Sequence, residues 1–158
     1  MDGIPSVVAL QIGPVKGEPT RAVSEVLAVA GKGLEGDRFF KKRGVWWSKL
    51  GLGREVTLIE EEALLAVERE HGLALTFAET RRNVLVRGVA LNDLVDRELA
   101  IGEVVLRGVR LCEPCRHLSE LTGKPLLRPL AHRGGLNAVI VTGGLLRVGA
   151  PVVPLVRS

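Results

Sequence analysis

Short apolar runs, rich in Val, Leu and Ile and bounded by Gly or Pro, recur along the chain. Runs of about four to eight such residues between turn signals are typical of β-strands. Gly102 and Gly108 break one longer run, and Gly143-Gly144 between two runs indicates a hairpin. We predict strands within residues 6–12, 21–30, 55–59, 83–87, 98–111, 138–142 and 145–155.

One segment has helical periodicity instead. Ala63, Leu64 and Val67 recur at helical spacing within residues 60–71, and Gly72 is a helix stop. Many strands with glycine turns and one clear helix argue against a regular alternation of strands and helices. The pattern predicts a mainly β fold, a strand-rich barrel or sandwich with a few helices. A turn or short helical piece is predicted at residues 91–96, and short helices are predicted at 118–121 and 126–131.

Composition and charge narrow the class of protein. A chain of 158 residues with 46% hydrophobic and 25% charged residues fits one globular domain, residues 1–158. The net charge of +4 favours an anionic partner, but Lys and Arg are scattered among acids, so no nucleic acid partner is predicted. The chain has no long apolar run and no export signal at its start, which predicts a cytoplasmic location and no membrane partner. Residues 41–53, a basic segment with both tryptophans, are predicted to form a surface loop.

Both cysteines of the chain lie in one turn, Cys112-Glu113-Pro114-Cys115. A thioredoxin-like redox pair would need the start of a helix after a strand, and the proline and the weak helical pattern downstream disfavour it. A zinc site would need about four ligands, and His117 and His132 could complete it with both cysteines. Alternatively, one thiolate binds a soft transition metal or accepts sulfur. All three interpretations stay open at this point.

Basic residues in other segments are candidates for binding an anion. Glycines at positions 31, 33 and 36 precede Asp37-Arg38 and allow the backbone to approach a ligand closely. Arg81 and Arg82 come just before the strand at 83–87, and alternation would direct them to opposite faces. His132-Arg133 precedes two further glycines. An arginine in any of these segments could bind phosphate through paired hydrogen bonds.

Several longer motifs resemble one family, the MOSC domain, named after the C-terminal domain of molybdenum cofactor sulfurase. The similarity extends over nearly the whole chain from Val7 onward, in a fixed order of segments. The motifs that carry it are GLEGDRFF, EVTLIEEEAL, TRRNVLVRG, LAIGEVVLRGVRLCEPCRHL, RGGLNAVIVTGG and LLRVGAPV. The resemblance implies a strand-rich β-barrel that binds the molybdenum cofactor, a molybdenum ion held by a phosphorylated pterin.

The resemblance also implies roles for individual residues. By motif position Cys115 is the molybdenum ligand and catalytic residue, with Cys112 as its catalytic-site neighbour. Relatives have serine where this chain has Gly17 and Glu113, and a glutamate beside a phosphopterin would repel it unless the side chain points away. The residues expected to bind the cofactor are Lys16, Asp37, Arg38, Arg81, Arg82, Asn83 and Arg133.

The implied activity is reduction of N-hydroxylated or similar small substrates. Two cysteines cannot hold an ordinary four-cysteine iron–sulfur cluster, so electrons would come from a separate donor protein. The alternative is a carrier: Cys115 holds a persulfide received from a cysteine desulfurase, or the chain delivers sulfur or cofactor to an acceptor molybdoenzyme. A small structural zinc protein is the second alternative. The sequence resembles a stand-alone MOSC domain without an aminotransferase-like domain, so pyridoxal phosphate is not expected.

Overall fold

The computed structural model describes residues 3–40, 55–114 and 116–155. The predicted surface loop at 41–53 and the side chain of Cys115 lie outside the described residues. The helices are α1 (Glu61–His71), α2 (Phe77–Thr80) and α3 (Arg116–Thr122), with a 3₁₀ helix at Leu91–Leu94. The strands are β1 (Ser6–Ile12), β2 (Arg21–Val23), β3 (Glu25–Val29), β4 (Gly33–Leu34), β5 (Val56–Glu60), β6 (Val84–Arg87), β7 (Glu98–Ile101), β8 (Val104–Leu111), β9 (Leu136–Thr142), β10 (Gly144–Arg147) and β11 (Val152–Pro154).

Most strands form one sheet with the order β11-β7-β8-β9-β5-β6-β1-β2, and a smaller sheet has the order β10-β3-β4. All pairs are antiparallel except β5 and β6. The predicted mainly β fold is confirmed. In the described residues the ladder does not close into a continuous barrel, although one bridge joins Ser6 to Pro151.

The helix predicted at 60–71 is confirmed as α1. Its acidic first turn suits the positive end of the helix dipole, and Gly72 ends it in the left-handed conformation with φ of 63°. Ala63 and Val67 are its buried residues. Together with α3, it covers one face of the large sheet.

Three predictions about the strands are wrong. The run at 21–30 divides between β2 and β3, which belong to different sheets. The predicted hairpin at Gly143-Gly144 does not form, because β10 leaves the large sheet and pairs with β3. Gly108 does not interrupt β8 but gives it a bulge, since any side chain there would overlap the carbonyl of Leu94.

Residues 127–133 form turns rather than the predicted helix at 126–131. Proline disfavours the helical conformation of the residue before it, here Arg128, so only one helical hydrogen bond forms across the described residues 126–131, from the Leu130 N–H to the Leu126 carbonyl at 3.0 Å. Leu126 and Leu130 are nevertheless fully buried, with no exposed surface. The apolar spacing is therefore a correct signal of burial but a wrong signal of helix.

The large sheet separates two apolar clusters. Along β5, Val56 and Leu58 belong to the inner cluster, which lies between the sheets, whereas Ile59 belongs to the outer cluster beneath α1 and α3. Side chains alternate between the two faces of a strand, so Thr57, between Val56 and Leu58, lies on the same outer face as Ile59. That position is the start of the candidate site.

Candidate functional site

A row of polar side chains crosses five neighbouring strands at one level of the large sheet. In order across the sheet they are Gln11, Asn83, Thr57, Asn137 and Arg110. We call this set the polar row. The first four keep 3%, 8%, 1% and 4% of their surface exposed, respectively. Buried polar groups are costly unless they are hydrogen-bonded, so a continuous row of them inside apolar strands marks a specialised region.

Hydrogen bonds join the first three members of the row. Asn83 Oδ1 accepts from the backbone N–H of Thr57 at 3.0 Å and from its hydroxyl at 3.1 Å. Asn83 Nδ2 donates to the carbonyl of Gln11 at 3.2 Å. Gln11 in turn donates to the carbonyl of Arg82 at 2.7 Å and accepts from the Thr20 hydroxyl at 2.7 Å. Asn83 was predicted to bind the cofactor, but its side-chain amide is used to hold neighbouring strands together.

Asp37 connects the glycine-containing loop to the end of β1. Its carboxylate is only 6% exposed and accepts hydrogen bonds from the backbone of Gly13 at 2.7 Å and of Phe39 at 3.1 Å. Asn83 Nδ2 lies 3.5 Å from the same carboxylate. Arg38 follows with its guanidinium carbon 4.5 Å from the centre of the Phe39 ring. Asp37 therefore acts as a structural anchor that fixes the loop carrying Arg38 to the end of β1.

The two adjacent arginines point in different directions. Arg81 adopts the left-handed conformation after α2, with φ of 59°, and donates from Nη1 to the carbonyl of Glu18 at 2.7 Å. Arg82 is 6% exposed and donates from Nε to the Gly134 carbonyl at 2.8 Å and from Nη2 to the Cys112 carbonyl at 3.1 Å. Arg81 faces the surface, while Arg82 ties the cysteine-containing turn to the glycine loop before β9.

The cysteine-containing turn continues directly from β8. Cys112 is a partly exposed free thiol, and its backbone N–H donates to the carbonyl of Gly135 at 2.7 Å. A side chain at Gly134 would overlap the Cys112 carbonyl and press on Pro114. The close approach of these backbones explains the paired glycines. Cys115 follows Pro114, the last described residue of the turn, and lies outside the described residues.

Glu113 points away from the sheet and toward His132. Its carboxylate accepts from the His132 backbone at 2.8 Å and lies 3.1 Å from the imidazole Nδ1. His132 is 81% exposed at its side chain, with φ of 62°. Within residues 3–40, 55–114 and 116–155 no group of three or more His, Cys, Asp and Glu side chains could hold a metal ion.

Arg133 is directed to α1 instead of the polar row. Its guanidinium donates to both carboxylate oxygens of Glu70, at 3.0 Å and 3.4 Å. The hydrogen bond from Arg133 lowers the pKa of Glu70 from its ordinary value. The sequence placed Arg133 among the anion-binding candidates, whereas the structure gives it an acidic partner on the helix.

A cleft of about 300 Å³ opens beside Arg81. Lys16 is exposed in the loop that forms one wall, and Thr20 on that wall connects the cleft to Gln11 of the polar row. The acid on the opposite wall, Glu79, lies 2.7 Å from the ammonium of Lys124, and this hydrogen bond lowers the pKa of the Glu79 carboxyl. The cleft is lined by Gly17, Pro19, Thr20, Ala78, Glu79, Arg81, Leu121 and Thr122.

Sequence reasoning missed Gln11, Thr57 and Asn137. Each is a single polar residue in an otherwise apolar strand, within ALQI, EVTLI and GLNAVIV. An isolated polar residue at a buried strand position was the available signal, because a buried polar group needs a specific partner. Among the described helices, none has the length and apolar character needed to span a membrane.

Comparisons with solved structures show that other proteins share this fold. The YuaD protein from Bacillus subtilis has a similar structure, with a TM-score of 0.77 and 18% identity over 94% of each chain. YiiM from Geobacillus stearothermophilus has a TM-score of 0.71 and 16% identity, over 97% of this chain and 76% of its own. YiiM from Escherichia coli has a TM-score of 0.67 and 17% identity, over 97% of this chain and 71% of its own.

At these identities the structural neighbours show a shared fold alone. A sequence comparison with curated proteins finds no match. The sequence profile of the MOSC domain, in contrast, matches residues 47–153, about two thirds of the chain. The matched region includes α1, the Arg81-Arg82-Asn83 segment, the cysteine-containing turn and β9. The chain belongs to the MOSC domain family.

Proposed function

We propose that this protein binds the molybdenum cofactor, with Cys115 as the molybdenum ligand, and reduces N-hydroxylated substrates. The observation that carries the proposal is the convergence of segments far apart in sequence at one edge of the large sheet. Hydrogen bonds connect the Lys16 loop to Asp37 and Arg81, and connect Arg82 to the cysteine-containing turn. The association of the MOSC family with this cofactor supports the same conclusion.

The side chains around the cleft suit an anionic group such as the pterin phosphate. Arg81 lines the cleft, and the exposed Lys16 lies in the loop at its wall. The Glu79 carboxylate is compensated by Lys124, which reduces its repulsion of a bound anion. Arginine forks bind phosphate through paired hydrogen bonds, while lysine provides a mobile point charge. We assign phosphate binding to Lys16, Arg38 and Arg81.

A thiolate at Cys115 suits a soft transition metal. The turn before it is fixed through Arg82 and through the bond from Cys112 to Gly135. When bound, the cofactor would supply a metal that exchanges an electron pair. Reduction of an N-hydroxyl group to N–H and water consumes that pair and a pair of protons, and a separate protein must supply the electrons.

We propose that the other residues predicted to bind the cofactor instead hold neighbouring groups in position. Asp37, Arg82 and Asn83 are buried and make hydrogen bonds to backbone groups or to one another. Fixed supports of this kind hold binding groups in register. Arg133 would have to release Glu70 before it could bind an anion, so we assign it to holding the glycine loop against α1.

The proposal is tested by producing the protein in a host that makes the molybdenum cofactor. Molybdenum and pterin are measured in the purified wild type, Cys115→Ala and Cys112→Ala. We expect the wild type and Cys112→Ala to carry molybdenum, and Cys115→Ala to lose the metal. Equal molybdenum in Cys115→Ala and the wild type would contradict ligation by this residue.

The same experiment distinguishes the carrier function. A wild type without molybdenum, but with the added mass of one sulfur on Cys115 after incubation with a cysteine desulfurase, would replace the reductase by a persulfide carrier. Stoichiometric zinc that depends on both cysteines would contradict both functions. Mass spectrometry and metal analysis of one preparation therefore separate the three candidates.

A further inference from the structure

Asn137 differs from its neighbours in the polar row. Its side-chain oxygen, Oδ1, is covered by protein, and within the described residues it has no hydrogen-bond donor. Two other members of the row, Thr57 and Asn83, both use their side chains in hydrogen bonds. One acceptor in an otherwise paired buried network is thus unsatisfied.

An unsatisfied buried acceptor destabilises a folded protein, and its presence calls for an explanation. An apolar side chain at this strand position would avoid that penalty, as Leu136 and Ala138 on either side do. A polar residue that is unfavourable for folding but useful for binding is a frequent feature of functional sites.

Asn137 is close to the cysteine-containing turn. Across the sheet it lies between Thr57 on β5 and Arg110 on β8. Two residues before it, Gly135 accepts the backbone hydrogen bond of Cys112. The oxygen without a donor therefore belongs to the same part of the sheet as the thiol turn.

We propose that Asn137 is a ligand-binding residue whose Oδ1 accepts a hydrogen bond from a ring N–H of the pterin. This inference rests on the proposed function, because it assigns one further contact to the same cofactor. Pterin rings carry several N–H groups, and a single neutral acceptor discriminates them from ring atoms that cannot donate. Since Oδ1 is covered, binding requires a local shift of the amide or of the groups above it, which predicts slow association.

The test uses two substitutions with opposite expected effects. Asn137→Leu removes the acceptor and keeps a branched side chain of similar reach. The cofactor-free variant should melt about 3 °C above the wild type, because a buried penalty is removed. Its retention of pterin, measured by fluorescence after oxidation, should fall about tenfold, the effect of one lost hydrogen bond.

Asn137→Asp provides the complementary variant. It keeps an acceptor but buries a charge, so its cofactor-free form should melt below the wild type while it retains more pterin than Asn137→Leu. Thr57→Val is the matched control in the same row. Its hydroxyl is already paired with Asn83, so this variant should lose stability.

Two results would overturn the inference. One is a lower melting temperature for cofactor-free Asn137→Leu, which would mean that an ordered water or another group already satisfies the oxygen. The other is equal pterin retention in Asn137→Leu and wild type. If the wild type itself retains no pterin, the proposed function fails together with this inference; if the wild type retains pterin and Asn137→Leu retains as much, only the inference fails.

Discussion

Replacing Arg82 tests whether the cysteine-containing turn depends on a buried guanidinium. Arg82→Lys keeps the charge but replaces a planar fork by a single ammonium that cannot reach the same carbonyls together. In the structure the fork donates to Gly134 at 2.8 Å, Cys112 at 3.1 Å and, more weakly, Thr80 at 3.4 Å. The substitution therefore leaves at least one buried carbonyl without its donor.

The magnitude follows from these bonds. A hydrogen bond from a charged donor contributes about 1.5–3 kcal/mol, so losing one of the two shorter bonds lowers the free energy of unfolding by up to about 3 kcal/mol. For a domain of this size, that loss corresponds to a melting temperature up to about 9 °C lower. Total stabilities are typically about 5–15 kcal/mol, so Arg82→Lys should still fold.

The assay combines unfolding in urea with alkylation of Cys112. In a Cys115→Ser background Cys112 is the only thiol, because the chain has two cysteines. We expect Arg82→Lys to unfold at lower urea and, under native conditions, to be alkylated faster than the background protein because the turn opens more often.

Arg81→Lys is the matched control for the Arg82 experiment. Arg81 is partly exposed and donates one hydrogen bond to Glu18, so its loss should cost less than about 1 kcal/mol. Cysteine alkylation should not change in this variant, whereas pterin retention should fall. If Arg82→Lys matches the background protein in both stability and alkylation rate, Arg82 does not hold the turn.

Three further predictions concern single contacts. Gly134→Ala should lower the free energy of unfolding by about 2 kcal/mol in urea melts, because the added methyl would overlap the Cys112 carbonyl; unchanged stability would contradict the close approach. Burial raises the pKa of Glu60, so its charge disfavours folding at neutral pH. Glu60→Gln should therefore melt higher at pH 7, with the difference shrinking as pH falls through the raised pKa of the folded state and absent below the unfolded carboxyl pKa. Lys124→Met should cost about 0.5 kcal/mol more at pH 7 than once Glu79 is protonated, because at low pH only the hydrogen bond from Lys124 to the Ala74 carbonyl is lost; a cost that does not change with pH would refute the pairing with Glu79.

Local patterns in the sequence are sufficient to predict those helices and strands whose signals lie within a few neighbouring residues. The apolar spacing and the glycine stop predict α1, and short apolar runs bounded by turn signals predict β1 and β5. The partner of β10 is not predictable in this way, because its pairing with β3 joins segments more than 100 residues apart. Gly143 packs against the backbone of Ala28 rather than turning a hairpin, and a methyl group at this glycine would lie 2.6 Å from the Ala28 carbonyl oxygen.

In the candidate site too, some residues can be identified from local motifs, whereas others depend on the assembled fold. The resemblance to the MOSC family identifies Arg81, Asn83 and the cysteines as candidates from their motifs. It could not reveal that Arg82 turns inward, since this depends on the left-handed backbone of Arg81. Nor could it reveal Asn137, whose position beside Thr57 depends on the register of β5 and β9. Register and side-chain direction are properties of the assembled sheet.

The bridge between Ser6 and Pro151 has a consequence for how the protein folds. Around it, Val7 donates to Ala150 at 3.0 Å and Val152 donates to Pro5 at 2.9 Å, so β1 is held by residues from the other end of the sequence. Contacts of such long sequence separation slow folding, because the intervening chain must be ordered first. During synthesis this side of β1 remains without those partners until residues 149–152 have emerged, and an unpaired strand edge is prone to association with other chains.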